Sequence, residues 1–246
     1  MNTDLLMEKE FSNQYLEPLK NVTENKGKLI DNSLYYSTIT SMDTEPQSLT
    51  LDNPLYWELK YQAGQTGWDK GAPSPALVEA LQILPNPQRV LVPGCGAGHD
   101  VRYLASLKIE AVGIDFAPSA IEKAKKLSQS PLENYVLADI FSLPKEFYSS
   151  FDWIWEHTCF CAIPPEKRTD YVLSMKNALK EKGFFLGIFF LDTGEPGEPP
   201  PYCFELSEID HHFDPYFQLE AEWLPFSCYE GREGEEIVRL YQKRSP

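Results

Sequence analysis

Gly94, Gly96 and Gly98 form a tight triplet directly after the apolar run Val90-Leu91-Val92, and Asp115 ends a second apolar run further on. A glycine turn lets a ligand lie against the backbone, because no Cβ stands in the way. The residues after it open a helix whose free N–H groups and positive dipole end favour a negative group. A carboxylate about twenty residues on, at the end of the neighbouring strand, can accept both hydroxyls of a ribose. A third apolar run, Tyr135-Val136-Leu137, leads into Asp139, Ile140 and Phe141. These offer a carboxylate to the amino edge of an adenine and apolar surface to its face. In the plainer alternative, Asp115 and Asp139 only cap the helices that follow them. Three strand ends converging on one crevice favour the nucleoside site.

The spacing of the glycines bears on the choice of cofactor. A dinucleotide loop has the pattern G-x-G-x-x-G, whose last glycine lets helix and strand pack closely. Here the third glycine is Gly98, and His99 stands where that pattern needs glycine. G-x-G-x-G is typical of enzymes that use S-adenosyl-L-methionine (SAM), which has no pyrophosphate to cradle. An NAD-dependent oxidoreductase using Gly94, Gly96 and Asp115 is a weaker alternative.

Alternating strands and helices must position these groups. Strands are expected near Arg89–Val92, Glu110–Ile114, Asn134–Leu137, Phe151–Trp155 and Phe184–Phe190, with helices between them. The helix after Asp115 begins at Pro118 and carries Ala120, Ile121, Ala124 and Leu127 on one face. A helix from Pro165 carries Val172, Met175 and Leu179 and is expected to end at Gly183. This rhythm implies an α/β domain with a parallel sheet covered on both faces. It breaks after Phe190 with a Pro/Gly-rich loop, a short helix near Ser207–His211, and two runs, Phe217–Leu224 and Glu236–Gln242, that suit an antiparallel end. Residues 1–50 are polar and read as an extension, partly helical within Leu16–Leu34. Residues 51–246 form the domain.

With 22 basic and 37 acidic residues the net charge is −15, which argues against a nucleic-acid partner. Enzymes that methylate DNA amino groups usually carry D/N-P-P-Y/F after the fourth strand, where this chain has Ala162-Ile163-Pro164-Pro165-Glu166. A small-molecule acceptor is expected. No apolar run approaches the roughly 18 residues of a membrane span, and Met1-Asn2-Thr3-Asp4 shows no start of a secretory signal. The five cysteines are odd in number and suit reduced thiols in the cytoplasm. Cys159 and Cys161, placed on a strand, would point to opposite faces, and His211-His212 lacks further ligands, so no metal site is expected. The oligomeric expectation is a monomer or a weak homo-oligomer.

With these residues in view, the chain resembles the thiopurine S-methyltransferase superfamily, most closely its halide/thiocyanate/thiol methyltransferase branch. The resemblance is carried by Trp57-x10-Trp68-Asp69-x-Gly71 and by Val92-Pro93-Gly94-Cys95-Gly96-x-Gly98-x-Asp100. It continues through Gly113-x-Asp115, Ala138-Asp139, Phe160-Cys161-Ala162-Ile163-x-Pro165-x-x-Arg168, Pro200-Pro201-Tyr202 and Arg232-x-Gly234-x-Glu236. It implies the class I SAM-dependent methyltransferase (Rossmann-like) fold. That fold is a mostly parallel seven-stranded sheet with helices on both faces and an antiparallel C-terminal strand. It also implies that Trp57, Tyr61 and Trp68 line the SAM pocket, Gly94 and Gly96 face the methionine part, Asp115 the ribose, and Asp139 with Ile140 the adenine. His157 would sit beside the sulfonium, and Asp192 and Arg232 would contact substrate. Plant-type members carry Trp at the place of Tyr61 and Tyr at that of His157, where thiopurine-type members carry Arg.

Methyl transfer from a sulfonium is an in-line displacement for which the protein supplies alignment and dry walls. Trp57, Tyr61, Trp68, Phe116, Phe160 and Phe190 supply aromatic surface, which also attracts a sulfonium by cation–π interaction. A thiol must lose its proton, and His157 is the candidate base. Iodide or thiocyanate needs a positive group instead, for which Arg232 is the candidate. A SAM-binding regulatory protein without turnover is the alternative from another class.

Overall fold

The apolar runs are continuous rather than alternating, as strands must be when helices bury both faces of their sheet. The computed structural model describes residues 50–191 and 199–245, so the expected extension lies outside the described residues apart from Thr50. Within them the strands are β1 (Arg89–Pro93), β2 (Glu110–Asp115), β3 (Glu133–Leu137), β4 (Phe151–Glu156), β5 (Leu179–Phe190), β6 (Phe217–Trp223) and β7 (Glu236–Lys243). They form one sheet in the order β3-β2-β1-β4-β5-β7-β6. The first five are parallel, and β7 runs antiparallel between β5 and β6. The order reverses at β1, so the crevice beyond the carboxyl ends of β1 and β4 is the topological switch point. Register levels the strand tips there: Pro93 lies beside Ile114, and Asp115 beside Leu137.

The helices are α1 (Pro54–Gln62), α2 (Pro75–Ile83), α3 (His99–Ser106), α4 (Pro118–Lys126), α5 (Arg168–Ala178) and α6 (Leu206–Phe213). Proline opens α1, α2 and α4, where a missing N–H costs nothing. Helix α4 buries Ala120, Ile121 and Ala124 and ends in Lys123, Lys125 and Lys126, which complement its dipole. Leu127, expected on the same face, lies past the helix end and is 42% exposed.

Three local readings need correction. The helix over 168–178 does not run to Gly183, because Leu179 already pairs with Phe151 as the first residue of β5. The last carbonyls of α5 are taken by the turn before β4: Ser149 N–H donates to Asn177 O at 2.8 Å and Ser150 N–H to Ala178 O at 2.9 Å. Gly183 is therefore a strand residue, where a Cβ would come within 3.0 Å of the Asp152 carbonyl. Cys159 and Cys161 are likewise not on a strand, since β4 ends at Glu156 and Phe160–Ala162 form a 3-10 turn. Both thiols are buried and unpaired. Phe160 is core and not pocket wall, packed against Tyr171, Phe189, Phe204 and Phe213.

Helix α1 lies across the start of α4 through one acidic side chain. The buried Glu58 carboxylate accepts from Ser119 N–H at 2.9 Å, Ser119 Oγ at 2.6 Å and Gln62 Nε2 at 2.7 Å. The Ser119 N–H is one of the orphan donors of the α4 N-terminus, so charge and hydrogen bond act together. Glu58→Ala is expected to destabilise this attachment by about 1.5–3 kcal/mol, the scale of hydrogen bonds to a charged group. Amide exchange across residues 54–62 measures it. Unchanged protection there would mean that α1 is held by its aromatic contacts alone.

Candidate functional site

The glycine turn between β1 and α3 folds back on the tip of β2. Cys95 N–H donates to Ile114 O at 2.9 Å, and Gly96 N–H to Asp115 Oδ2 at 3.0 Å. Gly96 and Gly98 have φ of 52° and 75°, a region costly for residues with a Cβ. Space forbids one as well: at Gly96 it would meet the Tyr61 hydroxyl at 2.9 Å, and at Gly98 the Tyr135 ring at 2.5 Å. The third glycine thus provides close packing onto β3 one residue earlier than a dinucleotide loop would. His99 turns away from the loop, bonding Asp69 at 2.9 Å through Nε2 and Arg102 at 2.8 Å through Nδ1.

The other oxygen of Asp115 accepts from Ala117 N–H at 2.9 Å. Burial pushes this carboxyl up to about 6, against the bonds from the Ala117, Gly96 and Phe116 backbone. A cleft of roughly 720 Å³ opens beside it, with Trp57, Tyr61, Phe116, Ile140 and Phe141 in its walls. The aromatic wall is self-supporting: Trp68 stands edge-on to Trp57 at 5.3 Å and to Tyr61 at 5.7 Å, and its indole N–H donates to the Tyr61 hydroxyl at 3.2 Å. Asp139 does not line this cleft. Its carboxylate accepts from Phe141 N–H at 2.8 Å, which turns Ile140 and Phe141 toward the cavity.

A second cavity of roughly 470 Å³ lies over the glycine turn, bordered by Gly94, Gly96, Asp100, His157 and Tyr229. The buried Asp100 accepts from Ser74 N–H (2.7 Å), Trp155 Nε1 (2.8 Å) and His157 Nδ1 (3.1 Å). Burial opposes its charge, but the bond and charge of His157, with the Trp155 and Ser74 bonds, hold it below the ordinary carboxylate range. An ionised Asp100 fixes the proton on Nδ1, so the opposite ring nitrogen is free for a ligand. His157 Nε2 is buried without a partner among the described residues. Tyr229 stacks on the imidazole at 5.8 Å and ties its own hydroxyl to Ala72 O at 2.8 Å.

A third cavity of roughly 660 Å³ adjoins both, lined by Trp57, Trp68, Cys161, Phe190, Pro200 and Arg232 among others. Arg232 bonds the buried Glu236 at 3.0 Å and lies 4.7 Å over the Phe190 ring. It is the one charged group in this lining among the described residues, and no carboxylate or imidazole lines it. Asp192 lies outside the described residues. No cluster of three or more His, Cys, Asp or Glu suited to a metal ion occurs among them either.

The structure thus gathers Trp57, Tyr61, Trp68, Gly94, Asp115, Phe116 and Ile140 around the first cleft. It places Gly96 and His157 at the second cavity and Arg232 at the third. Sequence reasoning missed Tyr229, Thr158 and the role of Asp100. Only Asp100 carried a signal, an acidic residue in the first turn of the helix after the glycine loop. These groups fit S-adenosyl-L-methionine. A glycine bend is open to the cavity, a buried carboxylate stands at a strand tip, an aromatic wall suits a sulfonium, and an unpartnered buried nitrogen awaits a polar group.

A family model described as Thiopurine S-methyltransferase (TPMT) matches residues 53–222. Among curated proteins, thiocyanate methyltransferase 1 of Brassica oleracea is 39% identical over 195 residues, covering 76% of this chain and 84% of that protein. A probable thiol methyltransferase 2 of Arabidopsis thaliana is 37% identical over 164 residues, covering 63% and 69%. A similar solved structure is the Burkholderia thailandensis 1,6-didemethyltoxoflavin-N1-methyltransferase with bound 1,6-didemethyltoxoflavin and S-adenosylhomocysteine. It superposes with a TM-score of 0.64 at 18% identity, covering 84% of this chain and 94% of that one.

In the ribose role expected from the sequence, an ionised Asp115 would accept hydroxyl groups, and a protonated one would lose an acceptor position. Its raised range means that this loss sets in as pH falls through about 6. Affinity for S-adenosylhomocysteine, measured by calorimetry, is expected to be flat above pH 7, to fall as pH drops through about 6, and to level off at the loss that a neutral side chain causes. Asp115→Asn should weaken binding by about 1.5–3 kcal/mol and flatten the profile. An unaltered profile in that variant would remove Asp115 from the ribose site.

Proposed function

Because the chain belongs to the thiopurine S-methyltransferase family and is an S-adenosyl-L-methionine-dependent methyltransferase, we propose that its methyl acceptor is a thiol, thiocyanate or halide that attacks as an anion. The observation that carries this is the third cavity. Aromatic and proline walls and one guanidinium suit a soft, polarisable anion, and no side chain in the described lining can take a proton. When bound, the cofactor supplies a methyl group already activated by its sulfonium. The protein's part is alignment and exclusion of water. Trp57, Tyr61 and Trp68 offer aromatic faces to positive charge, Arg232 draws the anion in, and Glu236 holds Arg232 in place.

His157 belongs on this reading to the cofactor. It borders the glycine-turn cavity and not the third one, and Asp100 leaves its Nε2 for the cofactor's amino-acid end. Asp139 serves the adenine side through Ile140 and Phe141, and Asp192 would stand near the acceptor. The catalytic domain spans residues 51–246. A thiopurine-type acceptor is compatible with the aromatic walls. Five free thiols suit a reducing cytoplasmic setting, and the excess of acidic residues suits a protein that binds small molecules and not nucleic acid. No helix among the described residues is long and apolar enough to cross a membrane.

Purified protein with labelled cofactor is expected to methylate thiocyanate, iodide and thiols. For thiols, kcat/KM should rise with the thiolate fraction, while for iodide it should not. Transfer to none of the panel would overturn the proposal. His157→Ala is expected to weaken cofactor binding by about tenfold, the scale of one hydrogen bond to a charged group, and to slow iodide and thiol methylation equally. A selective loss on thiols would return His157 to the role of base.

A further inference from the structure

The three cavities meet at two residues. Trp68 and Thr158 are the only residues that line the Asp115 cleft, the glycine-turn cavity and the Arg232 cavity alike, among the described residues. A methyl-donating sulfonium is bonded to three groups: the adenosyl arm, the amino-acid arm and the methyl. If each arm occupies one compartment, the sulfur sits at their junction. Resting on the reading of these cavities given above, we propose that the Thr158 side chain sets the size of the acceptor that can reach the transferable methyl group.

The backbone at this residue is unusual. Thr158 has φ of 62°, a region in which a β-branched residue is an outlier and which persists only when its surroundings enforce it. The enforcement is visible. Glu156, fully buried at the end of β4, accepts from the N–H groups of Cys159 at 2.8 Å and Phe160 at 2.7 Å through one oxygen. Its other oxygen accepts from the Tyr171 hydroxyl. Two successive N–H groups on one buried carboxylate pin the chain just after Thr158, and Tyr171 anchors that carboxylate to α5. Glycine would take the same backbone conformation without steric cost. What threonine adds is a methyl and a hydroxyl at the junction, and its hydroxyl has no hydrogen-bond partner among the described residues. Trp68, the other residue common to all three cavities, is fixed by Tyr61 and Trp57. Both residues at the junction are therefore held in place by neighbours of their own.

The test compares wild type, T158G and T158V with iodide and thiophenol as small and large acceptors. T158G widens the junction without straining the backbone, and its thiophenol-to-iodide ratio of kcat/KM should rise at least about tenfold, the effect of removing a methyl-sized group from a pocket wall. T158V keeps the branched shape and should keep the wild-type ratio. Should T158G not fold, T158A, which also lacks both γ atoms, should raise the ratio in the same direction. A merely structural Thr158 would instead lower the melting temperature and slow both acceptors by one factor. An unchanged ratio in T158G, or an equal rise in T158V, overturns the proposal. If wild type transfers methyl to neither acceptor, the methyltransferase reading of the cavities fails as well, which separates the two failures.

Discussion

One carboxylate holds the cofactor crevice together. Asp115 ends β2 and places its two oxygens on the N–H groups of Gly96 and Ala117. It thereby ties the turn after β1 to the turn before α4. A buried charge without a cation is costly, and here backbone donors from two turns compensate it only in part. That residual cost leaves a carboxylate with acceptor capacity facing a cavity. The same interaction therefore shapes the loop and, on the function proposed here, leaves lone pairs for the hydroxyl groups of the ribose.

The cover over this crevice is secured by the same device, repeated. Glu58 takes the free donors at the start of α4, Asp100 takes Ser74, Trp155 and His157, and Glu156 takes Cys159, Phe160 and Tyr171. Asp69, half-buried, binds His99 and Lys123 and so holds the segment that carries Trp68. Four acidic side chains thus fix the aromatic wall, the imidazole and the strained turn at Thr158. The excess of acid in this chain is partly structural, satisfied inside the molecule by N–H donors. Rigidity follows from geometry that each carboxylate over-determines.

Much of this was legible in the residues. Continuous apolar runs read as strands because both faces of the sheet are buried, and the glycine spacing with Asp115 located the crevice. The end of α5 was not legible. Gly183 looks like a helix terminator, whereas the helix actually stops because Leu179 must pair with Phe151 in the sheet. Helical periodicity carries no information about that partner. Phe160 resembles a pocket aromatic in sequence, but the 3-10 turn that follows Glu156 rotates it into the core. Glu58 and Asp100 look like solvated charges until the chain folds, since Ser119 and Ser74 lie 61 and 26 positions from the carboxylates they join. Tyr229 reaches its place beside His157 only through the return of the chain into β7.

A crystal structure with S-adenosylhomocysteine tests the central claim most directly. The account predicts the ribose hydroxyls on Asp115, the amino-acid end beside His157 Nε2, and the sulfur between the Trp68 ring and the Thr158 side chain. A nucleoside bound elsewhere, or a sulfur remote from both residues with the Arg232 cavity cut off from it, would contradict the account.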